Sequence, residues 1–194
     1  RAASGTAHMR KALDALYGAA LVGACLSMIA IAALVFVQIL GRVADSLAVL
    51  AGMPRYGFIV PSLAEIGGFL FVAASFLALP WTLRAAGHVR VTLALRTFGP
   101  RGDRAMSALV LLAALGLTAF ALWSVWLLTY ASFLRGSVSV GIIAIPLWIP
   151  QGVMTAGLAI FAIALADELA AILRGGDAAF RLAESQREAS EGGH

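Results

Sequence analysis

Charge is scarce in this chain of 194 residues: Asp, Glu, Lys and Arg together make 12%, about half the share of an ordinary soluble domain. The single cysteine, Cys25, excludes an internal disulfide, a CxxC pair and a thiolate zinc site. Within its apolar run it reads as a small packing residue. There are three histidines, His8, His88 and His194. Two lie near the chain ends and one lies between apolar runs, so a haem held by two histidines inside a helix bundle is excluded. No nucleophile–base pair, metal cluster or phosphate loop can be assembled, which argues against an enzyme and against any cofactor or metal site. Internal repeats and low-complexity tracts are also absent.

Apolar residues are abundant instead. They make 61% of the chain, and the mean hydropathy is +0.94. A soluble globule of this size has too little interior to hide that surface. The composition therefore defines an integral membrane protein. The net charge of +4 and the pI near 10.0 come from basic residues beside the apolar runs. They do not form a nucleic-acid-binding patch.

Four stretches carry no charge: Ala15–Gly41, Ile66–Leu83, Ala105–Leu134 and Gly136–Ala166. About 20 residues of helix cross the ~30 Å hydrocarbon layer. The four runs predict an all-α fold with four transmembrane helices, at about 15–40, 64–83, 105–133 and 147–170. The first run is too long for the apolar segment of a cleaved signal peptide. Arg1–His8 lacks an initiator and reads as a tag remnant, with Met9 as the native start. The membrane domain then covers 9–174, and 175–194 is a polar tail that reads equally as a short helix or as disorder.

Orientation follows from the 14 Lys and Arg. All but Arg42, Arg55 and Arg135 flank the runs on the side that holds both termini. Because cytoplasmic loops carry the basic excess, both termini are predicted inside. No charge lies within the interior of any run, where ion pathways and charged-substrate sites usually need one.

The connections carry further signals. Val43–Ala64 contains Pro54, Gly57 and Pro61, which break any continuous helix, and Asp45–Ala51 reads as a short interfacial helix. Arg84–Arg104 alternates basic and apolar residues around His88 and reads as a short amphipathic segment at the headgroups, either an anchor on anionic lipid or a docking site for a partner. Gln38, one turn before Arg42, lies just inside the bilayer and needs a hydrogen-bond partner there. Arg42 closes the first run and Glu65 opens the second. They either pair with each other or contact another subunit. Ahead of the fourth helix, Ser137-Val-Ser-Val140 alternates, while Gly141 and Pro146 discourage helix and Pro150 suits a first helical turn. This apolar but irregular backbone must pack on protein, its own or another chain's. Pro80 kinks or ends the second helix. Gly23 and Ser27 form a small-xxx-small face. Trp81, Trp123, Trp126 and Trp148 read as an interfacial belt.

These landmarks resemble the small membrane subunit of TRAP (tripartite ATP-independent periplasmic) transporters, the DctQ-type component. The resemblance spans Leu13 to Arg174. It rests on Gln38-Ile-Leu-Gly-Arg42, on Glu65 before Gly67-Gly-Phe-Leu-Phe71, on the block from Leu83 through Gly87, His88 and Arg90 to Val91, and on Ser139–Gln151 with Pro146, Trp148, Pro150 and Gln151. Thr92 and Ala64 stand where many relatives carry acids. The resemblance implies a scaffold in a bacterial or archaeal cytoplasmic membrane. Its partners would be a large multi-span DctM-type subunit and a periplasmic DctP-type substrate-binding protein. It also implies sodium-coupled uptake of an organic acid, with the sodium site in the large subunit. The alternative reading is a free-standing four-span carrier or channel.

Overall fold

A computed structural model describes residues 2–85 and 99–174, with side chains for 10–85 and 104–174. Helix α1 spans Ala2–Leu50, α2 Leu63–Arg84, α3 Gly99–Arg135 and α4 Trp148–Leu173. All four contain windows long and apolar enough to cross a membrane. No β-strand occurs among the described residues beyond one isolated bridge, Val138 to Pro146. The fold class read from the sequence is therefore the observed one. Gly87, His88 and Arg90, with the amphipathic segment around them, lie outside the described residues, and so does the tail 175–194.

The boundaries differ in instructive places. No proline stands between Arg10 and Leu50, so α1 runs through Asp45–Leu50, which is not a separate interfacial helix. Pro80 does not end α2 either. It is fully buried, and the helix continues to Arg84. Cys25 is exposed on α1 and not packed inside. At about 1.5 Å per residue, α2 and α4 are near 33 and 39 Å, close to a bilayer's span, whereas α1 and α3 exceed it and must tilt or protrude.

The helices pack in the order α1, α2, α4, α3, with α2 and α4 in the middle. Small residues set the close approaches. On α1 the buried Ala20, Ala24 and Ala48 lie on one stripe with Gly23 and Ser27, and Gly23 receives Leu77 of α2. The small-xxx-small face is thus a helix contact within this chain. At the α2–α4 crossing, Gly157 lies against the Phe76 backbone, where an added Cβ would stand 2.8 Å from the carbonyl. Thr129 of α3 and Thr155 of α4 bring their hydroxyls to 3.1 Å. All four helices meet at the end that holds both termini, the tail end. There Tyr17, Leu83, Leu111, Ala164, Leu165 and Ile172 form a buried cluster.

Gly157 predicts a stability effect. Gly157→Ala should cost about 1–3 kcal/mol, since backbone at the crossing cannot yield as a side chain can. Gly152→Ala, where no atom stands within 4 Å, should be neutral. Thermal melting of the two variants in detergent checks the contrast; equal melting temperatures would refute the close crossing.

Candidate partner interface at the hairpin end

The opposite end of the bundle, the hairpin end, carries the α1–α2 and α3–α4 connections. Nonhelical backbone there needs hydrogen bonds, and polar side chains supply them. The buried Gln38 accepts the Val60 N–H through Oε1 at 2.7 Å. The Asp45 carboxylate accepts the N–H groups of Tyr56 and Gly57 at 2.9 and 3.2 Å. Phe58 lies against Gly41. Together these fold the connection back along the last turns of α1. The sequence reading that Gln38 needs a partner is met within the chain.

The α3–α4 connection is a small hairpin. Helix α3 ends in a Schellman arrangement, with Ser137 N–H donating to Ser132 O at 3.0 Å and Gly136 N–H to Phe133 O at 3.2 Å. Ser139 N–H then donates to Ile145 O at 2.8 Å, and Leu147 N–H to Ser137 O at 2.9 Å. The Ser139 hydroxyl accepts the Ile145 N–H and donates to Ile143 O, both at 3.1 Å. Pro146 closes the bridge to Val138, and Trp148 stands edge-on to Phe133, with ring centroids 5.8 Å apart. Pro150 lies in the first turn of α4, as its fixed φ suggests. Gln151 follows it, and its Oε1 is buried without a donor.

This hairpin is tied to α2 through Ser62. Ser62 has φ 54°, a left-handed conformation, and its Oγ accepts the Ile143 N–H at 3.0 Å. Gly141 lies directly on the Glu65 carboxylate, leaving no space for a Cβ. The irregular Gly136–Gln151 backbone thus packs on its own bundle. Arg42 and Glu65 do not pair: Arg42 is exposed on α1 and makes no ion pair among the described residues, and Glu65 Oε2 is buried without a hydrogen-bond donor. The sequence-derived candidates Gln38, Glu65, Pro146, Trp148, Pro150 and Gln151 gather at this end, with Arg42 at its edge.

The residues that escaped sequence reasoning are at the tail end. Asp14 pairs with Arg84, whose guanidinium stands 5.1 Å from the Tyr17 ring centroid. Tyr17 is wholly buried, and Glu168 is buried close by in α4. A signal was present: Asp14 precedes the first uncharged run and Arg84 follows the second, so antiparallel packing sets them level. The tryptophans also divide. Trp81 and Trp148 lie at helix ends, as a belt requires. Trp123 and Trp126 instead line a lateral groove of about 570 Å³ against Gly152, Thr155 and Ala156 of α4. They stand about 18 and 14 Å along α3 from Arg135.

Four apolar helices in a row, with the charged groups of the described residues confined to the two ends, define a membrane-embedded component whose exposed flanks are mainly apolar. The chain belongs to the DctQ family: the model of "Tripartite ATP-independent periplasmic transporters, DctQ component" matches residues 31–175. No curated protein and no solved structure matches the chain.

The Gln38–Val60 contact generates a second prediction. Gln38→Leu should destabilise the chain by about 1–3 kcal/mol, because it leaves the Val60 N–H without its acceptor. Arg42→Ala should leave the isolated chain unchanged. Melting curves of the purified variants decide; a neutral Gln38→Leu would mean that the connection is held by other contacts.

Proposed function

We propose that this chain is a scaffold subunit. It widens the fixed framework of a large multi-span transport subunit and supports docking of a periplasmic substrate-binding protein, for sodium-coupled uptake of an organic acid. The basic excess on the terminal side favours cytoplasmic termini, which puts the hairpin end on the periplasmic face of a bacterial or archaeal cytoplasmic membrane. Family membership supports the transporter assignment. The observation that carries the scaffold role is the open row of helices. Beyond Ala24, α1 packs mainly on α2 and turns Leu26, Ile29, Phe36, Leu40 and Val43 outward. Such a helix extends a membrane surface and does not enclose a path. Sodium and substrate would then bind in the large subunit, and this chain would perform no catalysis.

Reconstitution tests this. Proteoliposomes that hold this chain with its large subunit and binding protein should accumulate organic acid under a sodium gradient. Vesicles with this chain alone should show no flux. Flux from the chain alone would instead establish the free-standing carrier. Pro146→Leu, which disturbs the hairpin, should lower recovery of the large subunit in affinity purification; unchanged recovery would remove the hairpin from the interface.

A further inference from the structure

Glu65, in the first turn of α2, is a carboxylate with one oxygen left without a donor. Ser62-Leu-Ala-Glu65 has the S-x-x-E pattern of a capping box, in which the acid would turn back to the cap N–H. The box does not form. Ser62 is left-handed, makes no side-chain cap bond and holds the Ile143 N–H instead. Glu65 is left facing the hairpin, with Oε2 buried against Gly141 and making no hydrogen bond. No basic side chain among the described residues forms an ion pair with it, Arg42 included.

The surroundings indicate what completes it. Val140 and Ile142, which flank Gly141, are almost fully exposed, and Ile143 is 43% exposed. Exposed apolar side chains around a polar group can exclude water from it once a partner covers them. A chelated metal ion fits poorly. One carboxylate oxygen is closed off, and no group of three acidic, histidine or cysteine side chains occurs among the described residues. A hydrogen-bonding cation on a side chain needs only the remaining oxygen.

We infer that Glu65 is the acceptor for a lysine or arginine of the large membrane subunit, which docks over Val140–Ile143 and the start of α2. The inference rests on the subunit reading above and adds to it the chemistry of the contact. Removing the charge should then have opposite effects on the complex and on the free chain. In the complex Glu65→Gln breaks an ion pair. In the free chain it removes a carboxylate that has no counter-charge.

The test co-expresses this tagged chain with its large subunit and compares wild type, Glu65→Gln and Glu65→Asp. Glu65→Gln should recover about tenfold less large subunit, equivalent to about 1.4 kcal/mol, and the loss should be smaller for Glu65→Asp. The isolated Glu65→Gln chain should melt at the wild-type temperature or above. A Glu65→Lys variant should regain recovery when one basic residue of the large subunit is changed to Glu. Wild-type recovery by Glu65→Gln would overturn the inference. So would a lowered melting temperature of the isolated variant, which would put the counter-charge inside this chain. If wild type itself recovers no large subunit, the subunit reading fails and takes this inference with it.

Discussion

In an apolar environment the backbone of a connection must find its hydrogen bonds within the protein, and at the hairpin end a few side chains provide them. Gln38 and Asp45 hold the α1–α2 connection, Ser139 holds the hairpin together, and Ser62 joins the hairpin to α2. The rest of this end follows. With the Val60 N–H on Gln38, the chain reaches Ser62 beside the hairpin. With the Ile143 N–H on Ser62, Gly141 is brought onto Glu65. Replacing Gln38 or Ser139, whose contacts are part-buried, with an apolar group leaves a donor stranded, at a cost of about 1–3 kcal/mol.

The tail end is held differently. Its buried cluster draws on all four helices, and Asp14, Arg84 and Tyr17 cross from α1 to α2 at the edge. The Asp14–Arg84 pair is partly exposed and adds about 0–1 kcal/mol. Its greater effect is to fix the level of α1 against α2. Away from this cluster the helices rely on small residues, as they must in lipid, where apolar side chains gain nothing by leaving lipid for one another. Gly23 admits Leu77 and Gly157 admits the Phe76 backbone.

The four helices were legible because hydropathy over 20 residues is a large signal, and the need of Gln38 for a partner was legible because an amide at that depth has few alternatives. The Arg42–Glu65 pairing was not, because Glu65 is directed at Gly141 of a hairpin distant in sequence while Arg42 stays exposed on α1. The loss of the capping box was equally hidden, because Ser62 is taken by a residue 81 positions away. Local pattern names the competitors for Ser62 but not the winner. Asp14–Arg84 is legible in principle, since both flank apolar runs on the same side.

Composition also separates two kinds of exposed surface. The outward face of α1 is dominated by Val, Leu, Ile and Phe, while Ala20, Gly23 and Ala24 turn to the bundle. Large apolar side chains suit lipid, whereas helices that pack closely on one another need small residues. The hairpin end is different. Polar acceptors remain unmet there, at Glu65 Oε2 and Gln151 Oε1, beside exposed Val140 and Ile142. Lipid tails offer no donors to such groups, and both oxygens are closed off inside this end. On the scaffold reading proposed above, no continuous interface along the helices is needed: lipid can cover the flanks while the end held by its own hydrogen bonds would make the specific contact.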